Sequence, residues 1–333
     1  MRAVVLVGGF GTRLRPLTNT TPKPLLPVVH VPIVERVLSG LARHGVTDAV
    51  LALGFRPDAF FASYPDDRCA GVDLHYAVES EPLDTAGAIA FAARDAGINE
   101  TFVAVNGDVL TDLDVSALVS MHEARRAEGT IALTPVDDPS AFGVVPTDAD
   151  GRVIAFIEKP ARDEAPTNLI NAGVYVLEPS VIGRIERGRR VSIEREVFPA
   201  MVVDRSLYGR PDDAYWLDTG RPDQYLQANL DYLDGRRGPA PEGIAAGAFV
   251  DAGATVIRSA VGRGARVATG ARVVDSVVLP GAFIGHDAEL VRTLCGRGAL
   301  VNRRARLVDV VLGDGVVVVA GGELSGVRVP EPA

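Results

Sequence analysis

Ala3-Val4-Val5-Leu6-Val7 runs without a polar residue and stops at Gly8-Gly9-Phe10-Gly11-Thr12-Arg13-Leu14-Arg15-Pro16-Leu17-Thr18. A short unbroken apolar run is the pattern of a strand covered on both faces. A glycine loop at the carboxyl end of such a strand lies where open α/β sheets hold their ligands. Glycines let successive backbone N–H groups approach an anion closely, and Arg13 and Arg15 add positive charge. Two familiar phosphate motifs do not fit. No Lys follows Gly11, as the P-loop needs, and Leu14 stands where a dinucleotide fingerprint would have its third glycine. The loop is therefore a phosphate loop of another type.

Downstream, Thr21-Pro22-Lys23-Pro24-Leu25-Leu26-Pro27-Val28 sets a lysine between two prolines. The prolines restrict its backbone to extended or turn geometry, so its charge can be aimed at a fixed point. Val34–Leu41 carries apolar residues at helical spacing, and Asp48–Leu53 is the next strand. Ala86–Ala96 reads as a helix, and Thr101–Val105 as a strand ending in Asn106-Gly107-Asp108. Strands alternating with helices predict a largely parallel sheet. Asp108, like the glycine loop, then falls at a strand's carboxyl end.

A polar, Pro/Gly-rich break at 234–243 separates residues 1–235 from a repeat at 244–328. Gly247, Gly264, Gly281, Gly298 and Gly315 step by 17. Apolar positions step by six, six and five, and Ser259, Ser276 and Thr293 keep the same offset. Three short sides make one triangular coil, with Val250, Val267, Ile284, Val301 and Val318 in one inward column. This is the hexapeptide pattern of a parallel β-helix of about four and a half coils. By resemblance to other hexapeptide-repeat proteins it is expected to be left-handed.

The formal net charge of −9 argues against a nucleic-acid partner. The apolar N-terminal run is too short for a signal core, and the apolar stretch 308–327 is interrupted by Asp309, Asp314 and Glu323, so no membrane span is expected. Cys69 and Cys295 lack metal-site spacing and suit a reducing, cytoplasmic setting.

Taken together, the 8–24 stretch, Asn106-Gly107-Asp108, Glu158-Lys159-Pro160, Asn171-Ala172-Gly173-Val174-Tyr175 and Trp216-Leu217-Asp218-Thr219-Gly220 resemble the sugar-nucleotide pyrophosphorylases. Within that family the nearest match is to the mannose-1-phosphate guanylyltransferases. The resemblance implies a Rossmann-like mixed sheet and the joining of a nucleoside triphosphate, GTP, to a sugar 1-phosphate, mannose 1-phosphate, with release of pyrophosphate. It implies nucleotide contacts at Leu6, Gly8, Gly9, Gly11, Thr12, Arg13, Lys23, Asp84, Thr85, Gly87 and Asp108, with Arg13 and Lys23 catalytic. It implies Mg²⁺ at Asp108 and Asp218, and sugar-phosphate contacts at Gly143, Glu158, Lys159 and Asn171. A homo-oligomer is expected, with the β-helix assembling subunits. The chemistry is coherent on its own terms: the nucleophile is an ionised phosphate oxygen, so positioning and charge neutralisation suffice and no general base is needed.

The sequence departs from the family in places. Asp84 stands where guanylyltransferase-like relatives have Gly. It reads either as an acceptor for the guanine edge or as the N-cap of the following helix, and both readings stay open. Gly87 argues against thymidine. Val29-His30-Val31-Pro32 replaces the usual Asn-Lys/Arg-Pro. Competing readings are a glucose-1-phosphate nucleotidyltransferase using dTTP, UTP or ATP and a non-catalytic regulatory paralogue. Acyl transfer in the β-helix has only His286 to support it.

Overall fold

The computed structural model describes residues 1–54 and 56–332. The chain forms two compact units, one of Met1–Gly9 with Val34–Trp216, the other of Phe10–Ile33 with Leu217 onward.

The first unit is built on a ten-stranded sheet. Arg2–Leu6 lies at its centre, parallel to Asp48–Leu53 on one side and to Phe102–Asn106 on the other. Val72–Val78 continues the parallel run beyond Asp48–Leu53. The prediction of a largely parallel sheet holds only for this centre. Leu169–Leu177 pairs antiparallel with both Phe102–Asn106 and Gly129–Pro135, and Gly143–Val144 and Ile157–Glu158 extend that edge antiparallel. The sheet is therefore mixed, as the family resemblance implied.

The Asp84–Asp95 helix packs its alanines against this sheet, in one core with Val4, Val50, Phe102 and Tyr175. Its small side chains let the helix lie close to the strands. The N-cap reading of Asp84 is corrected: the N-cap is Leu83, and Asp84 opens the helix with φ +61° while its Oδ1 accepts the Thr85 N–H at 2.9 Å. Leu169–Leu177 carries an irregularity between Asn171 and Tyr175. Gly173 sits there at φ +74°, where an added Cβ would come within 2.6 Å of Asn106 Nδ2. Only glycine lets the two strands pass at that point.

In the second unit, residues beyond the break form three parallel five-stranded sheets, the sides of a β-helix. Every ladder pairs residues 17 apart: Val250 with Val267, Val256 with Val273, Val261 with Val278. Each side holds five strands, slightly more than the coil count expected. The repeated glycines have φ between 62° and 82°, which explains their strict recurrence at the corners. Inside, buried hydroxyls form a ladder. The Ser276 N–H donates to Ser259 Oγ and the Thr293 N–H to Ser276 Oγ, each at 3.0 Å.

The same unit holds the Pro222–Leu233 helix and the segment that follows Lys23. Val29 and His30, both at positive φ, turn the chain between Pro27–Val28 and Val31–Pro32. Asn229 on the helix accepts the Val29 N–H at 2.9 Å, and the Tyr225 hydroxyl donates to the Pro27 carbonyl. The departure Val29-His30-Val31-Pro32 is thus a two-residue hairpin turn, Val29-His30, anchored by a buried asparagine and followed by the returning strand Val31–Pro32. Among the described residues no helix is long and apolar enough to cross a membrane.

Candidate active site

In the first unit, Leu6 closes the central strand and Gly8 follows it. A Cβ on Gly8 would lie 3.1 Å from the Gly54 nitrogen, whereas Gly9 faces open space. Gly107 donates its N–H to the Leu6 carbonyl at 2.9 Å, and a Cβ there would strike Val7 at 2.5 Å. That close approach fixes the Asn106-Gly107-Asp108 turn against the end of the central strand and leaves Asp108 partly exposed beside it.

Gly143 pairs with Glu158 across an antiparallel ladder. Its missing Cβ would meet the Phe156 ring at 2.7 Å and Glu158 Oε2 at 3.2 Å. Lys159 adopts φ +50°, and its Nζ lies 3.4 Å from Glu158 Oε1. Asn171 Nδ2 donates to the Tyr175 hydroxyl, and its Oδ1 accepts the Gly173 N–H, both at 2.9 Å. Tyr175 is fully buried, and burial pushes its phenol well above the usual value. The charge of Glu194 adds to the shift, as do those of Glu158 and Asp108 to a lesser degree. Residues predicted separately for the nucleotide and sugar sides thus act on one phenol.

Tyr175 and Glu194 were not singled out from the sequence. Tyr175 lay inside a quoted motif but reads as one apolar residue of a strand. Glu194 lies in a charged stretch with nothing to distinguish it, yet it accepts from the Thr85 hydroxyl at 2.8 Å. Thr85 in turn accepts the Ile193 N–H at 2.9 Å. Gly87 packs under the Arg189–Val191 backbone, where a Cβ would lie 3.0 Å from the Arg189 carbonyl. Asp84 Oδ2 is 3.5 Å from Arg190 Nε.

In the second unit, Gly11 sits at φ +60° before the Thr12–Leu14 turn, and its carbonyl accepts the Thr18 hydroxyl at 2.8 Å. Thr12 and Arg13 are exposed, while Lys23 starts a turn of its own and keeps only 7% of its side chain exposed. Both cations reach Asp218: Lys23 Nζ is 3.5 Å from Oδ1 and Arg13 Nη2 is 4.0 Å from Oδ2. Gly220 permits this convergence, because a Cβ there would lie 2.8 Å from Arg13 Nη2 and 3.0 Å from the carboxylate. The Asp218 charge also helps hold the Arg221 guanidinium above its usual range, after the larger effect of Asp223. A buried ammonium and an exposed guanidinium meeting one carboxylate at the end of a glycine loop is an arrangement with the charge and donors that a polyanionic phosphate requires.

A family model described as nucleotidyl transferase matches residues 2–235, about 70% of the chain. The chain belongs to the nucleotidyl transferase family. It is a sugar-1-phosphate nucleotidyltransferase by that membership and by its relatives. A second model, described as a GlmU-like C-terminal hexapeptide, matches residues 230–309. This nucleotidyltransferase is 43% identical over 286 residues to the mannose-1-phosphate guanylyltransferase of Mycobacterium tuberculosis, covering 83% of this chain and 79% of that one. It is 41% identical over 268 residues to the mannose-1-phosphate guanyltransferase of Schizosaccharomyces pombe, covering 77% and 73%. Among solved structures, HddC from Yersinia pseudotuberculosis complexed with GMP-PN superposes with a TM-score of 0.59 at 26% identity, covering 69% of this chain and 99% of that one.

Proposed function

We propose that the enzyme transfers a guanylyl group from GTP to mannose 1-phosphate, giving GDP-mannose and pyrophosphate. The observation that carries the chemistry is the convergence of buried Lys23 and exposed Arg13 on Asp218 beside a glycine loop. The named activity of the relatives supports the choice of base and sugar.

Both substrates are anions, so their approach needs fixed positive charge. Lys23 and Arg13 supply it on the nucleotide side, with the backbone of Gly8, Gly9, Gly11 and Thr12 and the end of the strand at Leu6 shaping the loop. Lys159 supplies it for the sugar phosphate, and Glu158, Asn171 and Gly143 meet the sugar. Asp84, Thr85 and Gly87 border the base. The sugar phosphate oxygen is ionised at neutral pH and attacks the α-phosphorus in line. The bond to the pyrophosphate leaving group breaks, and no proton has to be removed from the nucleophile.

Among the described residues no group of three or more His, Cys, Asp or Glu is placed to hold a metal unaided. The carboxylates of Asp108 and Asp218 are nevertheless the oxygen donors Mg²⁺ prefers, since this ion takes one or two carboxylates and fills its shell with phosphate and water. The donor chemistry therefore fits, and bound Mg²⁺ would neutralise charge on the phosphates.

We assign catalysis to residues 1–235 and assembly of a homo-oligomer to 244–328. Phe249, Leu300 and Val317 on one outer side of the β-helix are exposed and apolar, and suit contact with a second copy. Two buried free cysteines suit a cytoplasmic location. The test is pyrophosphate release from GTP, ATP, UTP and dTTP, each with mannose 1-phosphate and glucose 1-phosphate. GTP with mannose 1-phosphate is expected to give the highest kcat/KM. A preference for glucose 1-phosphate with another nucleotide would overturn the substrate pair, and no release from any pair would favour a regulatory chain.

A further inference from the structure

The last strand, Arg328–Val329, closes one side of the β-helix by pairing with Val311–Leu312. The Arg328 side chain leaves the coil and reaches the glycine loop. Its Nη1 donates to the Arg13 carbonyl at 2.9 Å and to the Arg15 carbonyl at 3.4 Å. A second tie joins the Thr20 hydroxyl to the carboxylate of Asp314, whose other oxygen accepts the Arg297 N–H at 2.8 Å. A third contact is steric. Gly313 lies so close to Pro16 that a Cβ would come within 3.0 Å of the ring.

These contacts bracket the stretch between Gly11 and Lys23. That stretch has no strand: the three-residue turn Thr12–Leu14 is followed by further turns, in which the Leu17 N–H donates to the Leu14 carbonyl at 3.1 Å and the Asn19 N–H to the Pro16 carbonyl at 3.2 Å. None of these turn hydrogen bonds uses the carbonyls of Arg13 and Arg15, which accept from Arg328 instead. In an anion-binding loop the N–H groups face the anion and the carbonyls point away. A guanidinium that gathers the carbonyls of Arg13 and Arg15 from behind holds that polarity in place.

We infer that the terminal coil of the β-helix is a positioning part of the nucleotide site. Arg328 and Asp314 hold the backbone of Arg13–Thr20 in the shape that presents Arg13 and Lys23 to the triphosphate. The solenoid's end thereby acts on the reaction without touching substrate. The inference rests on the reading of residues 8–23 as the nucleotide-phosphate loop.

Steady-state kinetics with each substrate varied test it, on Arg328→Ala, Arg328→Lys, Thr20→Val and Lys23→Ala. Arg306→Ala serves as a control, since Arg306 pairs with Glu289 on the solenoid's outer face. Arg328→Ala is expected to raise the nucleotide KM and lower kcat, together about tenfold or more in kcat/KM, because small misplacements of charged groups are costly. The sugar-phosphate KM should stay within about twofold and the melting temperature within a few degrees. Arg328→Lys should recover part of the loss. Thr20→Val removes a tie from the loop's own side, leaves the solenoid intact and should shift the same parameter. Wild-type kinetics in both Arg328→Ala and Thr20→Val, beside a damaged Lys23→Ala, would overturn the positioning role. So would equal losses on both substrates with a lowered melting temperature. A normal nucleotide KM and kcat in Lys23→Ala would instead show that the loop reading itself fails.

Discussion

Replacing Asp218 by Asn removes a negative charge 3.5 Å from the ammonium of Lys23, whose side chain is 7% exposed. At an effective dielectric of about 20, Coulomb's law puts about 5 kcal/mol between unit charges at that separation. Solvent reaches Asp218, at 19% exposure, and Arg13, at 65%, so the net loss is set at about 2 kcal/mol of folding stability. The same change has the opposite sign for the nucleotide. Without Mg²⁺ a triphosphate competes with Asp218 for Lys23 and Arg13, so Asp218→Asn should bind Mg²⁺-free GTP about tenfold more tightly. With Mg²⁺, turnover should fall about a hundredfold or more if Asp218 holds the metal as proposed. Urea unfolding, calorimetric titration of GTP in a chelator, and pyrophosphate release measure the three quantities. Weaker Mg²⁺-free binding alongside lost turnover would refute the reasoning, because Asp218 would then be ordering the loop rather than balancing its charge.

Asp108→Asn should lower Mg²⁺-dependent turnover about a hundredfold with little change in melting temperature, since its turn is fixed by the Gly107 backbone; near-normal turnover would remove it from the metal site. Lys159→Ala should raise the KM for the sugar 1-phosphate about tenfold and leave that for the nucleotide alone, which varying each substrate would show. Ser276→Ala deletes a hydroxyl that donates to the Val274 carbonyl and accepts the buried Thr293 N–H, so chemical denaturation should show a loss of about 2–4 kcal/mol; a loss under about 0.5 kcal/mol would mean water replaces it. Burial pushes the Cys295 thiol up to about 12, with the charge of Asp314 a smaller cause, so the folded protein should resist alkylation at pH 8 while the unfolded chain reacts. Because the folded value is raised, this contribution to stability is complete below the ordinary thiol range and is lost as pH climbs from there toward 12.

The β-helix could be read from sequence because each coil repeats one physical demand. A corner needs positive φ, so a glycine returns every 17 residues, and any single coil could be ambiguous without hiding the period. The central strands were legible for a similar reason: each is an apolar run ended by glycine. The antiparallel flank was not. Leu169–Leu177 and Gly129–Pro135 are apolar runs of the same kind as the parallel strands, and direction depends on connections that composition does not record. At the candidate site, Arg13, Lys23 and Asp218 were visible as motif residues, but their convergence depends on Gly220 making room. Arg328 carried no signal. It is one arginine among several on the solenoid, and only the folded chain brings it to a loop more than 300 residues away.

The spacing of the coils gives the solenoid the properties of a ruler. Adding or removing one residue in a coil would turn an inward column outward, whereas adding 17 would keep every column in phase. A whole extra coil is therefore harmless to the solenoid's own core. It would still carry the last strand about 4.8 Å along the axis, farther than Arg328 can follow while holding the Arg13 carbonyl at 2.9 Å. The number of coils is then set by distance to the loop, and length variants that fold well should be separable from those that work well.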